Sequence, residues 1–125
     1  MRPKIKIWIE NEAGDILFGE GKTSLLERID ALGSISKAAA EVGMDYKKAW
    51  GHIYLIEKKI NNMIIVRKKG GKNGGGSALT QKGRELIHAY RAYREAVIAF
   101  SDEKFQELFV RDGKMLVEPQ GSKNA

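Results

Sequence analysis

The sequence contains no cysteine, which excludes disulfide bonds, thiolate zinc sites and a cysteine nucleophile. Its only histidines, His52 and His88, stand far apart and without clustered carboxylates, so no metal site is expected. No apolar run approaches the roughly 20 residues needed to cross a bilayer, and the first residues lack the apolar stretch of a signal peptide. We therefore expect a cytoplasmic protein without a membrane partner.

Nothing in the sequence assembles a catalytic group, so we predict that the protein is not an enzyme. GEGKTS (residues 19–24) ends like a phosphate-binding P-loop. That motif needs a glycine five residues before the glycine of its GK pair, and Ile16 stands there. Thr23 or Ser24 is better interpreted as a helix cap.

The positive charge of the chain is concentrated in its middle. The net charge is +6, and between Lys37 and Lys72 nine basic minus three acidic residues account for all of it. Such a basic middle favours a polyanionic partner, nucleic acid before membrane. The alternative is a basic face that contacts only solvent.

Hydrophobic periodicity predicts a mainly helical chain with small β-hairpins. The apolar share of 42% over 125 residues is typical of one globular domain, which we place at residues 1–110, with a flexible tail at 111–125. The predicted elements are a hairpin at residues 4–19, a helix at 21–32, a short helix capped by Ser34 or Ser36, a helix at about 46–60, a strand at 63–69 with a short partner at 77–80, and a long helix after Thr80. A break at Ser101 is expected before a last short helix.

The short helix, the turn at Gly43 and the helix capped by Asp45 predict a helix-turn-helix. The second helix has an apolar stripe formed by Ala49, Ile53, Ile56 and Ile60, and a basic face opposite it. An α-helix is about 10–12 Å wide and therefore fits the DNA major groove, which is about 12 Å wide. The candidate DNA contacts are Ser36, Asp45, Tyr46, Lys47, Lys48, Gly51 and His52. An ordinary helical hairpin with solvated lysines is the alternative.

The segment KKGGKNGGGSALT (residues 68–80) combines glycine with positive charge. A strand, a glycine-rich loop and a strand directly after a helix-turn-helix predict the wing of a winged helix, in which glycines let the loop approach the DNA backbone. The candidate wing contacts are Arg67, Lys68, Lys69, Gly71, Lys72 and Asn73. A mobile loop without a ligand is the alternative. The fold class is thus a winged helix-turn-helix with an N-terminal β-hairpin.

The long helix after Thr80 carries apolar residues at 4-3-4-3 spacing, which is typical of a coiled-coil-like seam. The seam consists of Leu86, Tyr90, Tyr93, Val97 and Phe100. Its tyrosines belong either to the core or to a dimer interface.

Four segments give the sequence a family resemblance: GSIS (33–36), DYKKAW (45–50), GGKNGGGSALT (70–80) and GRELI (83–87). They resemble the N-terminal DNA-binding domain of the ModE family, the molybdate-responsive transcriptional regulators. The similarity runs from about residue 4 to residue 100. LysR-type winged helices are more distantly similar and lack this wing.

The resemblance implies a winged-helix homodimer that binds double-stranded DNA at a roughly palindromic operator. The helix that begins at Tyr46 would read the major groove, and the helix near Thr80 would form the dimer interface through its seam. Full-length family members also carry molybdate-binding modules, for which a chain ending at Ala125 leaves no room. We therefore expect no cofactor and leave any small-molecule effector open.

Two other functions fit the same basic surface. A protein–protein adaptor would use it to meet an acidic partner and would bind duplex DNA only loosely. A nonspecific nucleic-acid-binding protein, including an RNA-binding one, would bind all sequences alike or prefer single strands. Sequence-selective binding to a duplex distinguishes the regulator from both.

Overall fold

The computed structural model describes the backbone of residues 1–71 and 74–117, and the side chains of these ranges except at positions 69–75. The elements are β1 (Ile9–Glu10), β2 (Ile16–Phe18), α1 (Glu20–Leu32), α2 (Ile35–Glu41), α3 (Tyr46–Ile60), β3 (Ile65–Gly71), β4 (Gly74–Leu79), α4 (Gln81–Phe109), β5 (Val110–Arg111) and β6 (Lys114–Met115). The strands pair only within three separate antiparallel hairpins across the described ranges. The prediction of a mainly helical chain with small hairpins is confirmed. Each described helix is too short or too polar to cross a bilayer.

The chain divides into two compact units. One is Ile7–Arg91, and the other combines Met1–Lys6 with the described residues from Ala92 onward. The first unit contains α1, α2, α3 and the β3–β4 hairpin, and therefore every described residue that was predicted to contact DNA.

The core of the first unit lies where α1, α3 and the start of β3 meet. Its largest fully buried apolar side chains are Leu25, Leu26, Ile29, Ile53, Ile56 and Ile64. The predicted stripe of α3 is confirmed, because Ala49, Ile53 and Ile56 are buried and Ile60 packs against the core. Burial of this stripe fixes which face of α3 points to solvent.

The helix ends follow the local chemistry of the sequence. Gly33 adopts a left-handed φ of 70° and its amide donates to the Ile29 carbonyl at 2.8 Å, which ends α1. The Ser34 hydroxyl accepts from the Lys37 amide, and the Asp45 carboxylate accepts from the Lys47 amide, which caps α2 and α3. Thr80 caps α4 by accepting from the Gly83 amide at 3.0 Å. The cap predicted at Asp45 is confirmed, α4 follows Thr80 as predicted, and Ser34 rather than Ser36 caps α2.

Three sequence-based expectations were wrong. The alternation of apolar and basic residues predicts a half-buried strand from Lys4 to Glu10, but only Ile9 and Glu10 pair with β2, and Ile9 is exposed. Thr23 is not a cap, since α1 begins at Glu20 and buries Thr23. The break at Ser101 is absent: α4 continues to Phe109, and within α4 no glycine or proline follows Gly83 to interrupt its hydrogen bonds.

An ion-pair network ties α4 to α1 within the first unit. Arg91 donates from Nη1 to Glu20 at 2.7 Å and from Nη2 to Glu27 at 2.8 Å. These bonds keep Arg91 protonated, and the hydrogen bond from Arg91 lowers the pKa of Glu27. Sequence periodicity could not predict this network, because Arg91 lies 64 positions from Glu27 and 71 positions from Glu20.

Candidate nucleic-acid interface

The first two turns of α3 present a polar surface to solvent. Tyr46, Lys47 and Lys48 are exposed, as is Gly51 one turn further on. An added Cβ at Gly51 would meet nothing within 4 Å, so the glycine leaves open space on this face. Backbone of a second molecule can therefore approach α3 closely at Gly51.

Three further candidate contacts flank this surface. Ser36 on α2 and the cap residue Asp45 are exposed, and His52 is half-buried at the edge of the basic face. Burial lowers the pKa of His52, and the nearby charges of Lys22 and Lys48 lower it further. His52 is therefore neutral at pH 7 and can either donate or accept a hydrogen bond.

Three side chains link the start of α3 to strand β3. The Trp50 indole Nε1 donates to the Tyr46 hydroxyl at 2.8 Å, and Arg67 Nη2 donates to the same oxygen at 3.2 Å. The Arg67 guanidinium also lies over the Trp50 ring, with Cζ 4.3 Å from its centroid. We call this arrangement the Tyr46–Trp50–Arg67 cluster. It holds a cation of the hairpin beside the exposed end of α3.

The cluster alters the chemistry of Tyr46. The hydrogen bond from Trp50, together with the bond and charge of Arg67, lowers the pKa of the Tyr46 phenol. A more acidic phenol is a stronger hydrogen-bond donor.

Residues that the sequence analysis missed anchor the base of the β3–β4 hairpin. The Glu57 carboxylate on α3 accepts from the Ile64 amide at 2.9 Å and from the Ile65 amide at 3.1 Å. The Ser77 amide donates to the Gly33 carbonyl at 2.9 Å and so joins β4 to the α1–α2 turn. The hairpin is therefore held from both strands.

Two glycines allow backbones to approach each other around the hairpin. A Cβ at Gly76 would lie 3.2 Å from the Gly33 carbonyl oxygen. A Cβ at Gly83, in the first turn of α4, would lie 2.7 Å from the Ile64 carbonyl oxygen. Real Cβ atoms essentially never come that close to backbone, so α4 can begin against β3 only with glycine at this position.

The other predicted hairpin contacts are placed only in part. Arg67 and Lys68 are exposed on β3, where they pair with Ser77 and Gly76 of β4. Lys69 and Gly71 belong to β3, while Lys72 and Asn73 lie outside the described residues.

The seam residues of α4 have different environments. Tyr90 is 3% exposed and its hydroxyl donates to the Ile7 carbonyl at 2.8 Å, so its ring belongs to the core of its own chain. Leu86 packs against that core, and Val97 is half-buried. Tyr93 and Phe100 are 54% and 59% exposed. The exposed aromatic surface of the seam therefore consists of Tyr93 and Phe100.

Across residues 1–71 and 74–117, no three His, Asp or Glu side chains are grouped closely enough to hold a metal ion. The chemistry that the interface offers is hydrogen bonding and positive charge.

No protein-family model matches this sequence. Curated proteins do match part of it. The chain is 41% identical over 69 residues to the DNA-binding transcriptional dual regulator ModE of Escherichia coli (strain K12), covering 55% of this chain and 26% of that protein. It is 40% identical over 79 residues to the molybdenum-pterin-binding protein MopB of Rhodobacter capsulatus, covering 63% and 29%. It is 37% identical over 84 residues to the molybdenum transport protein ModE of Azotobacter vinelandii, covering 67% and 31%.

This chain therefore spans about three tenths of the length of the curated relatives it matches. These relatives are named as regulators and as molybdenum-binding or transport proteins, and none of the three names describes an enzyme. The matches confirm the resemblance indicated by the sequence motifs: the aligned region of this chain is homologous to the ModE-type molybdenum regulators.

Proposed function

We propose that this chain is a sequence-specific DNA-binding transcriptional regulator that acts as a homodimeric winged helix-turn-helix. The proposal is supported by relatives that include a DNA-binding transcriptional regulator. It is also supported by the order of elements, in which two helices joined at Gly43 precede a basic hairpin.

The observation that carries the proposal is the physical link between the exposed start of α3 and the cations of β3. Lys47 and Lys48 project from α3 into solvent, and Arg67 is bonded to Tyr46 on the same helix. A helix in the major groove and a strand along the adjacent phosphates need a fixed spacing between them. The Tyr46–Trp50–Arg67 cluster provides such a connection.

The two parts of the surface have different tasks in this proposal. The exposed residues of α3 reach base edges, where lysine donates to the O6 and N7 acceptors of guanine. Arg67 and Lys68 neutralise phosphates, which adds affinity for every sequence and makes binding depend on salt. Gly51 lets the backbone of α3 come near the floor of the groove.

Dimer formation is proposed through the exposed aromatic face of α4. Tyr93 and Phe100 lie seven positions apart, so they lie on one face of the helix, together with the half-buried Val97. Exposed aromatic residues at this spacing suit a second copy of the same helix. Two copies present two α3 helices to the two halves of a roughly palindromic operator.

Molybdenum occurs in the names of several relatives, so its role in this chain needs a direct test. We propose that DNA binding by this region requires no cofactor. We also propose that the protein acts in the cytoplasm.

The proposal can be tested by titrating labelled duplexes with the protein and following fluorescence anisotropy. The duplexes cover the region upstream of the protein's own gene, with scrambled duplexes of the same composition as competitors. The salt concentration is varied between about 50 and 200 mM, because phosphate contacts give a linear loss of log affinity with log salt. Molybdate is then added at constant ionic strength, with sulfate as the matched control.

We expect one duplex to resist competition and to bind two chains per site, with the same affinity in molybdate and sulfate. Weak binding that is equal for all duplexes and disappears at the higher salt would contradict a sequence-specific regulator. In that case the basic surface serves an acidic protein partner or nonspecific nucleic-acid binding. A large gain of affinity with molybdate alone would refute the absence of a cofactor.

A further inference from the structure

An open cleft lies where α2, the start of α3 and the β3–β4 hairpin come together. Its volume is about 230 Å³, and its polar side chains are those of Ser36, Tyr46, Arg67, Lys68 and the capping residue Ser34, with Ser77 on the β4 side. None of the residues that line it is acidic. The cleft therefore joins two cations to several hydroxyl groups.

The hydroxyl of Tyr46 can act in only one way inside this cleft. A phenol oxygen accepts hydrogen bonds through its lone pairs and donates one through its proton. Trp50 and Arg67 both donate to this oxygen, so its accepting positions are occupied. The proton of Tyr46 is what remains for a ligand, and Tyr46 can recognise only an acceptor.

The charged side chains of the cleft are also hydrogen-bond donors. Arginine and lysine side chains donate hydrogen bonds and cannot accept them. With Tyr46 restricted to donation, three of the polar side chains require acceptor atoms on the ligand. Guanine also presents only acceptors in the major groove, but they are neutral, whereas the non-bridging oxygens of a phosphate carry the negative charge that Arg67 and Lys68 favour. The cleft is thus selective for a phosphate-like oxyanion over a base.

We propose that this cleft is the seat of a single phosphodiester of the DNA backbone, with Tyr46 donating its proton to a phosphate oxygen. Arg67 and Lys68 balance the charge, and Trp50 is a positioning residue that holds both Tyr46 and Arg67. This inference rests on the proposed function, since it names the DNA group that the interface binds at this point. The interface thereby gains two residues that composition and charge did not indicate, Trp50 and Ser77.

Contacts that exist before DNA binds preorganise the cleft. Arg67 is already stacked on Trp50 and bonded to Tyr46 in the free protein. Its guanidinium therefore loses less conformational freedom on binding than a free arginine would. A phosphate seated beside the first turn of α3 fixes where that helix enters the groove.

Replacement of single phosphates tests the inference. The probe is the tightest-binding duplex from the anisotropy titration, prepared with one uncharged methylphosphonate at each backbone position in turn. Affinities are measured for the wild type and for Tyr46→Phe, Arg67→Gln and Trp50→Phe. Tyr54→Phe is the matched control, because Tyr54 is an exposed tyrosine of the same helix outside the cleft. Circular dichroism and thermal unfolding confirm that each variant is folded.

We expect one methylphosphonate per half-site to weaken binding of the wild type and of Tyr54→Phe by about tenfold, the loss expected for a hydrogen bond to a charged group. The same replacement should weaken binding of Tyr46→Phe and Arg67→Gln less, because each variant has already lost one of the contacts to that phosphate. Trp50→Phe keeps a ring under Arg67 but loses the donor to Tyr46, so its sensitivity to that phosphate should fall to an intermediate value.

The outcomes separate this inference from the proposed function. A wild type that binds no unmodified duplex would refute the function itself. Wild-type binding with equal phosphate sensitivity in Tyr46→Phe and Tyr54→Phe would overturn the phosphate seat alone. Inorganic phosphate, added in place of chloride at constant ionic strength, tests whether the cleft binds free phosphate rather than a phosphate of the DNA backbone. Micromolar displacement of DNA by inorganic phosphate would identify a small-anion site instead, whereas competition only at millimolar concentration agrees with a backbone phosphate.

Discussion

The guanidinium of Arg67 lies over the ring of Trp50, with its Cζ 4.3 Å from the ring centroid. The two residues belong to different elements, β3 and α3, and are joined a second time through Tyr46. Cation–π contacts of this kind contribute about 0.5–1 kcal/mol at exposed sites. These contacts therefore fix the position of the hairpin relative to the helix.

Trp50 fluorescence should reveal this contact. In a Trp8→Phe background, Trp50 is the single tryptophan. Replacing Arg67 by methionine removes the stacked guanidinium and exposes the ring, so we expect a red shift of the emission and faster quenching by acrylamide. Arg111→Met, on the exposed strand β5, is the control and should leave the emission unchanged. An identical spectrum in the Arg67 variant would show that the ring is not covered in solution.

Lys48→Ala should weaken binding to the operator by about 1–3 kcal/mol if Lys48 contacts a base, as its exposed position on α3 suggests. Anisotropy titration against the operator and against a scrambled duplex measures the effect. The discrimination between the two should fall, because a base contact carries sequence information. Lys114→Ala, an exposed lysine on β6, should bind like the wild type. Unchanged operator affinity would remove Lys48 from the list of contacts.

Gly83→Ala should destabilise the fold by about 1–3 kcal/mol, the usual cost of inserting an atom into a packed site. The new Cβ would lie 2.7 Å from the Ile64 carbonyl oxygen, so either α4 or β3 must shift. Urea unfolding followed by circular dichroism measures the free energy of unfolding. A variant as stable as the wild type would mean that α4 and β3 adjust without cost.

Gly51→Ala is a matched control for stability and a separate prediction for function. Its Cβ meets nothing within 4 Å, so alanine in the middle of α3 should raise the free energy of unfolding by about 0.5–1 kcal/mol. Affinity for DNA should fall all the same, because the methyl group occupies the space that close approach requires. A gain in both stability and affinity would exclude a close contact at Gly51.

His52 should make the protein sensitive to mild acid. Burial, aided by Lys22 and Lys48, lowers its pKa in the folded state, so the unfolded chain binds more protons between that lowered pKa and about 6.5. Stability therefore falls as the pH drops through this window. We expect the Tm of His52→Gln to decline less than that of the wild type between neutral pH and about pH 5. His88→Gln, at an exposed histidine of α4, should follow the wild type; parallel curves for all three proteins would contradict the prediction.

Phe100→Glu should weaken the proposed dimer, with a dissociation constant at least about tenfold higher because a charge replaces an aromatic contact. Sedimentation equilibrium measures the constant. Leu108→Glu is the matched control, since Leu108 is also 59% exposed on α4 but lies outside the seam. If only the Leu108 variant dissociates, the interface is at another part of the helix.

Sequence reasoning was most successful where a local signal and a burial pattern agreed. The bounds of α3, Tyr46–Ile60, follow from the cap at Asp45 and the apolar stripe that ends at Ile60. Ser101–Asp102 looks like a similar cap, yet α4 continues through it. Serine and aspartate favour helix starts without requiring them, so the signal misleads where nothing else interrupts the helix.

The contacts that complete the candidate site could not be read from the sequence. The sequence shows that Trp50 and Tyr46 are aromatic and that Arg67 is a cation. Whether these three side chains contact one another depends on how β3 runs back along α3. The two amides that Glu57 accepts from lie beyond the end of its own helix. Hydrophobic periodicity predicts which face of a helix or strand a residue lies on. Which residue of another element it contacts depends on the turn that joins the two elements.

The carboxylate of Glu57 bridges the end of the helix and the beginning of the hairpin by holding two successive amides. A single side chain of α3 therefore satisfies two backbone donors at the point where the chain leaves the helix and enters the hairpin. Without that carboxylate, both part-buried amides would lose their acceptor, so the start of the hairpin depends on Glu57 as well as on the pairing of its strands.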